Sequence, residues 1–424
     1  MPDRKQAPVI VDAVNFDLKL KQCQKIILKN GAEVYAVDAG AEEVMQLEWV
    51  FFAGNNQEEQ NLVAATTNFL LRNGTSGKTA FQINEHFEYY GAYLNRSCST
   101  ETASISLHCL TKHIAELLPV VRELITDSVM PEDELAVYQQ NMKQRLKVSL
   151  KKSDFIAGRL IDVYLFGENH PYGKYSSLED FDTLNREQLI HFYNRFYKQG
   201  KLILFVAGKL PVNLEALLNE HFGDLANGNI ENPSLILQPA VEKKYRITND
   251  EKGVQGSVRM ARPFPNRHHP DFMKVQVLNA LFGGFFGSRL MSNIREDKGY
   301  TYGIHSYIQN HVQHTAWMVS TEAGAAVCEA TIAEVYKEMK VLREELVDAE
   351  ELLLVRNFMM GGLLGDLDGP FQIIGRWKNI VLNNLTEQYF YDSINTIKNI
   401  SAEELQALAQ KYLQPEDFYE LVVV

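Results

Sequence analysis

Two short stretches far apart in the chain share one pattern, and that pattern limits the fold more than anything else in the sequence. Leu184-Asn185-Arg186-Glu187-Gln188-Leu189 and Ile400-Ser401-Ala402-Glu403-Glu404-Leu405 each place a capping residue three before Gln or Glu, the capping box of a helix start. Each then runs through aromatics, Phe196-Tyr197 in the first and Tyr412 in the second, into an apolar strand. The elements upstream repeat in the same order. In the first half, Gln24–Leu28 and Ala32–Val37 flank Asn30-Gly31, a favourable two-residue hairpin turn, and Val44–Phe52 reads as a third strand. Helices follow over Asn61–Arg72 and Ala80–Tyr89, then a strand pair at Tyr93–Arg96 and Thr102–Cys109, then long helices at His113–Ser128 and Pro131–Lys152. In the second half the order returns. Strands at Tyr245–Thr248 and Gln255–Ala261 precede a helix over Pro270–Phe282 and a short one through Arg295. A strand pair at Tyr302–Tyr307 and Thr315–Thr321 leads into long helices at Ala326–Glu344 and Val347–Leu363.

A chain of 424 residues is too long for one ordinary core. The repeat predicts an α+β fold of two tandem homologous domains, each a mostly antiparallel sheet packed with helices. The expected division is 1–225, a linker at 226–241 containing Asn227, Gly228, Asn229, Asn232, Pro233 and Pro239, and 242–424. The formal net charge of −12 leaves no basic stripe for phosphates, so no nucleic-acid partner is expected. No apolar run reaches the roughly 18 residues that span a bilayer, so no membrane partner is expected either. The N-terminal stretch lacks the apolar centre of a signal peptide, and a cytoplasmic location follows as the expectation. Four cysteines without a C-x-x-C pair argue against a zinc ribbon or disulfide scaffold; Cys98 and Cys109 could approach each other only across a hairpin.

The chemistry-bearing stretch is Phe282–Gly303. Glycines and aromatics open it, Arg295 follows on a short helix, Gly299 breaks the helix, and Tyr300 and Tyr302 stand at the start of a strand. A fixed cation and a phenol thus meet at one helix-to-strand junction. The competing structural readings are a salt bridge from Arg295 to Glu296 or Asp297, and a core position for Tyr302. Tyr300, two residues away, is expected on the same strand face and ranks second. Arg289 reads as a helix-face charge, and Gly283, Gly284 and Gly287 as a tight turn or close packing, since no phosphate-loop Lys-Ser/Thr follows. The histidines do not compose a metal site. His268 and His269 are adjacent and point apart, His86 has no second His at the next helical turn, and His108 and His113 flank a strand end and helix start. His311 and His314 sit at a strand-strand turn.

Halves of this order, together with Ser288-Arg289-Leu290, Ile294-Arg295-Glu296, Lys298-Gly299 and Tyr302, resemble the pitrilysin/insulinase family of metallopeptidases. The likeness is nearest to the short branch that includes the mitochondrial processing peptidases, and it spans nearly the whole chain. It implies a clamshell-type half and, in active members, an inverted zinc motif H-x-x-E-H on the first helix of the N-terminal half. Anchored on Phe69–Thr75, that motif falls at Ala65-Thr66-Thr67-Asn68-Phe69. Ala65 and Phe69 stand where the resemblance expects histidines, and Asn68, which cannot accept a proton near neutral pH, stands where it expects the general base. A further ligand, a Glu, is expected near Gln144 or Arg145, yet no carboxylate occurs from Leu135 through Ser153. The resemblance therefore implies no metal in this chain. It also implies that Arg295 and Tyr302 hold the peptide backbone and donate to the oxyanion of the tetrahedral intermediate. The expected function is that of the non-zinc subunit of a heterodimeric zinc metalloendopeptidase, inactive alone. The partner would be a related subunit with an intact H-x-x-E-H motif and its zinc, and the substrate a peptide or unfolded polypeptide. The alternative is a catalytically inactive, homodimeric peptide-binding or scaffold protein of the same fold.

Overall fold

The structure is a computed structural model that describes residues 11–230, 233 and 235–424. The start of the N-terminal stretch, to which the expectation of no signal peptide applies, and residues 231, 232 and 234 of the proposed linker lie outside the described residues.

The first half contains strands β1 (Gln24–Ile27), β2 (Glu33–Asp38), β3 (Val44–Phe51), β4 (Tyr93–Cys98), β5 (Ala103–Leu110) and β6 (Leu202–Gly208). Its helices are α1 (Val63–Leu70), α2 (Ala80–Tyr89), α3 (Ile114–Asp127), α4 (Glu132–Ser149), α5 (Ser153–Phe166), α6 (Asp180–Thr183), α7 (Arg186–Tyr193) and α8 (Leu214–Phe222). The second half contains β7 (Lys244–Ile247), β8 (Gln255–Phe264), β9 (Thr301–Asn310), β10 (Thr315–Gly324) and β11 (Tyr419–Val423). Its helices are α9 (Phe272–Asn279), α10 (Cys328–Glu344), α11 (Ala349–Gly365), α12 (Pro370–Leu382), α13 (Gln388–Asn399) and α14 (Ala402–Tyr412). Wider π-helical turns at Ala280–Gly284 and Met291–Asp297 lie between α9 and β9.

Each half builds one sheet, and the two sheets have the same topology. The order β1-β2-β6-β3-β5-β4 in the first is matched by β7-β11-β8-β10-β9 in the second, with β1 as an added edge strand. In both, the last strand of the half runs parallel to one neighbour (β2 with β6, β7 with β11) and antiparallel to the other. The two capping boxes form as the sequence predicts. Asn185 accepts from the Gln188 N–H and Ser401 from the Glu404 N–H, with the return bonds also made.

Several local readings shift. The β1–β2 turn spans three residues, because Leu28 pairs with Ala32 and Gly31 takes a φ of +83°. That is the three-residue hairpin with a left-handed glycine. Strand β8 extends through Arg262 and Pro263, beyond its predicted end. Pro263 is tolerated because β11 stops at the Tyr419–Ala261 pair, so the side facing away from β10 needs no N–H donor there. Cys98 pairs with Ala103 at the closed end of the β4–β5 hairpin and lies far along it from Cys109; all four thiols are free.

Helix α12 falls in a region the sequence reading left without elements, and it explains how the halves hold together. Its Ile373 and Ile374 join a core that includes Val37, Phe205 and Ala207 of the first half's sheet. Lys378 pairs with Glu48 at 2.8 Å, and the Trp377 indole N–H donates to the Lys21 carbonyl. Helix α5 does the reverse. Ala157, Ile161 and Leu165 pack with Ala261, Met318 and Leu421 of the second half's sheet. Each sheet therefore has one face covered by a helix from the other half. Neither half buries both faces of its sheet alone.

Candidate functional site

Gly283 makes the turn before β9 possible. A Cβ there would lie 2.7 Å from that of Ser306, closer than packed carbons approach. Arg289 is a strut. Its guanidinium binds Glu351 on α11 through two parallel hydrogen bonds of 2.8 Å, the bidentate geometry that arginine favours. That hydrogen-bonded partner, set against burial, raises its pKa further. Under the turn, the buried Trp317 indole donates to Ser306, and Ser306 donates to Asn279 of α9, both at 2.7 Å. This relay ties helix, edge strand and central strand together.

On this footing stand the two residues of interest. Arg295 leaves the π-helical turn and its Nε donates to the main-chain carbonyl of Tyr302 at 3.0 Å. Its guanidinium lies 4.6 Å from the centre of the Phe286 ring, and Nη1 is 3.5 Å from Glu296. Arg295 and Tyr302 thus meet at the Tyr302 main-chain carbonyl, and the alternative ion pair to Glu296 is present beside that contact. Tyr302 is 94% exposed, which excludes the core position. The cause is a bulge. Opposite β10 the register slips between Thr321 and Ala323, so Tyr302 and Gly303 share the place of one residue. Such an extra residue re-aims a side chain at a sheet edge, and β9 is the edge strand.

Tyr300 corrects the expectation of a shared strand face. It precedes β9, its N–H donates to the Ile294 carbonyl at 3.0 Å, and its half-buried ring packs on the core. Gly299, with a φ of +65°, turns the chain between helix and strand. The sequence reading missed an apolar shelf on the glycine-rich turn beside Arg295. Phe286 is exposed, and Phe285 stacks on Phe358 of α11 at 4.6 Å. The signal was the aromatic pair inside the glycine-rich turn.

The positions aligned to the zinc motif occupy α1. Ala65 and Phe69 are exposed on one face, as residues one helical turn apart must be. Asn68 is 3% exposed and donates to the Ser104 carbonyl and the Tyr197 hydroxyl. Phe69 packs on Tyr138 of α4, with ring centres 4.7 Å apart. The guanidinium of Arg96, on β4, lies 4.8 Å from the same ring. Gln144 and Arg145 are exposed further along α4, so the α4 residue meeting Phe69 is Tyr138. A methyl group, an amide locked by its own bonds, a phenyl ring and a guanidinium offer zinc no N, S or O⁻ donor set. These residues do not fit the metal.

The histidines serve elsewhere. His86 bonds the Glu116 carbonyl, and His269 Nδ1 accepts from the Asp271 N–H. His170, His311 and His314 cluster with Tyr172 where the β9–β10 turn meets the segment after α5. Among the described residues, no group of three or more His, Cys, Asp or Glu side chains is placed to hold a metal ion. Among them, too, no helix is long and apolar enough to cross a membrane.

Residues 183–359 match the family profile described as Peptidase M16 inactive domain. The chain is 23% identical over 413 residues to the uncharacterized zinc protease YmxG of Bacillus subtilis, covering 95% of this chain and 97% of that one. It is 24% identical over 326 residues to the non-peptidase homolog YmxG of Helicobacter pylori, covering 72% of each. Its fold is similar to the peptidase M16 inactive domain from Pseudomonas fluorescens, with a TM-score of 0.84 at 24% identity over 95% of this chain and 98% of that one. Residues 183–359, the stretch that carries Arg295 and Tyr302, are thus similar to the domain type described as Peptidase M16 inactive domain.

Proposed function

We propose that this chain is the zinc-free subunit of a two-chain peptidase, holding an extended peptide and supplying the oxyanion donor to a partner's metal site. The observation that carries the reading is Tyr302, a phenol 94% exposed on a bulge of the edge strand, with its own carbonyl fixed by Arg295. A side chain that exposed makes no contribution to the core. Its placement therefore needs another explanation, and a donor to developing negative charge is one. Arg295 positions it by holding the main chain at Tyr302. The unpaired edge of β9 offers main-chain donors and acceptors to a peptide added as a strand, which gives affinity with little sequence demand. The Phe285–Phe286–Phe358 shelf offers apolar contact to a side chain of that peptide. Activation of the attacking water belongs to the metal in the partner, since α1 here carries no group able to do it.

The test is reconstitution. The purified chain alone is expected to cleave no peptide, and mixing with a related subunit carrying H-x-x-E-H is expected to produce cleavage. Tyr302→Phe keeps the ring and removes the donor. Unchanged reconstituted activity with that variant would end the assignment. One observation favours the alternative of an inactive peptide-binding or scaffold protein. Arg295 already spends its Nε on Tyr302 and approaches Glu296, as a residue with a structural task would. Stable self-association with no gain on adding the partner would decide for it.

A further inference from the structure

The bulge that turns Tyr302 to solvent is held by side chains. An extra residue in a strand takes main-chain groups out of the regular ladder, and those groups need other partners. Here Tyr302 and Gly303 lie opposite the single residue Glu322 of β10. The Tyr302 carbonyl accepts from Arg295 at 3.0 Å. The Gly303 N–H donates to the Thr301 hydroxyl oxygen at 3.1 Å, and the Gly303 carbonyl accepts from the Thr321 hydroxyl at 2.9 Å. The Glu322 carbonyl accepts from the Thr301 hydroxyl at 2.6 Å. The two hydroxyls are themselves 2.9 Å apart. Each hydroxyl has one proton to give and can accept besides. Thr301 therefore gives to Glu322 and receives from Gly303, while Thr321 gives to Gly303. One arginine and two threonines thus satisfy four main-chain groups at the bulge.

Threonine suits a strand by its branched shape alone, and valine would serve that purpose equally. Hydroxyls turned onto the bulge are what valine would not supply. Thr321 is buried, so its hydroxyl has little water to turn to instead. The other half offers a control. Strand β4 takes the place of β9 there, and it pairs with β5 in unbroken register from Cys98–Ala103 to Tyr93–His108. The bulge and its hydroxyl clamp therefore belong to the Tyr302 corner and not to the shared topology.

We propose that Thr301 and Thr321 are positioning residues for Tyr302, their hydroxyls fixing the main-chain form that keeps the phenol aimed outward. The Tyr302 carbonyl and the Gly303 N–H are the two ends of one planar peptide group. Arg295 and Thr301 grip that group at both ends, and Thr321 grips the carbonyl of the next. A peptide plane held at both ends cannot swing, and its swing is the motion that would re-aim the Tyr302 side chain. The inference rests on the reading of Tyr302 as oxyanion donor and adds the residues that place it. Placement matters because a catalytic group shifted by about 1 Å loses much of its effect.

Steady-state kinetics of the reconstituted pair, with this chain carrying Thr321→Val or Thr301→Val, tests it. In each, kcat is expected to fall about tenfold while KM changes less than about twofold, since the rest of the β9 edge is unaltered. Thr321→Ser, which restores the hydroxyl, should recover most of the loss. Thr301 is only partly buried, so its variant carries the test if Thr321→Val does not fold. In a chain already carrying Tyr302→Phe, neither valine should lower kcat further, because no donor is left to place. Tyrosine-ring NMR of the isolated chain needs no partner. The resonance missing from Tyr302→Phe should shift or broaden in the valine variants and return in Thr321→Ser. Three results overturn the positioning role alone: an unmoved Tyr302 resonance, equal kcat losses with and without Tyr302→Phe, or unchanged kcat in the valine variants when Tyr302→Phe lowers it. Unchanged kcat in Tyr302→Phe, or no cleavage on mixing with the partner, overturns the donor reading, and this inference with it.

Discussion

The two halves place equivalent corners at equivalent points of the same topology, and the chain has furnished them in opposite ways. In each, an asparagine on the first helix ties that helix to the sheet. Asn68 of α1 bonds Ser104 and Tyr197, while Asn279 of α9 accepts from Ser306, which accepts from Trp317. Above Asn68 the surface is closed by Phe69 on Tyr138 and Arg96. Above Asn279 the π-helical turn, the glycine-rich loop and the bulged strand push Arg295, Phe286 and Tyr302 outward. A shared scaffold thus supports one corner filled with carbon and guanidinium and another that offers a phenol to solvent. The difference lies in side chains and one bulge, which is why fold alone does not give function.

The sharpest attempt to break that contrast is to build an H-x-x-E-H pattern into α1 with Ala65→His, Asn68→Glu and Phe69→His. The Glu would replace a 3% exposed amide whose partners are a carbonyl and a hydroxyl. Burying that unpaired carboxylate should cost about 3–5 kcal/mol, seen as a fall in the urea midpoint. Little zinc should bind, since α4 supplies no carboxylate near the site. A stable variant with stoichiometric zinc would show that the first corner lacks only the ligands and not the architecture for a metal.

Tyr302→Phe makes the opposite test in the second corner. Reconstituted kcat should fall by about 10²–10³, the usual worth of one oxyanion donor, while the thermal midpoint of the isolated chain stays put because the hydroxyl is in water. Ser306→Ala should do the reverse. It leaves the Trp317 indole and Asn279 without their partner and should cost about 1–3 kcal/mol of stability, measured by denaturant titration, before any change in peptide affinity appears.

A gentler effect is expected where the halves meet. His170 is 4% exposed, and its Nδ1 accepts from the Tyr172 N–H. Burial, with His314 and His311 adding like charge, lowers its pKa from 6.5 to about 4. The unfolded chain therefore binds the proton first as pH falls. The native state should lose stability between about pH 6.5 and 4, by at most about 1.4 kcal/mol per pH unit for one proton. His170→Gln should flatten that slope in a denaturation series, and an unchanged slope would locate the acid sensitivity elsewhere.

Much of this arrangement is legible in the residues. The capping boxes at Asn185 and Ser401 announce the repeat because they need only local chemistry. The Arg295–Tyr302 spacing announces the second corner for the same reason, since both residues sit within one helix–turn–strand unit. Tyr300 is misplaced by alternation because it lies ahead of β9, with its N–H returned to the Ile294 carbonyl, so the strand period does not reach it. Arg96 and Tyr138 give no local signal at all. Each looks like an ordinary strand or helix residue until long-range packing sets it against Phe69. Helix α12 has a regular apolar spacing through Ile373, Trp377 and Ile380, but spacing cannot say whose sheet it covers.

The sequence by itself determines the duplication, the order of the elements, the absence of His, Cys and carboxylate side chains from α1, and the presence of an Arg and a Tyr at one junction. Each is a matter of residue identity or short-range geometry. Only the tertiary structure decides that Tyr302 faces water, that Arg96 lies against Phe69, and that α5 and α12 cross to each other's sheets. Those outcomes depend on contacts between residues far apart in the chain. There burial and the need to pair polar groups are settled by the whole fold at once.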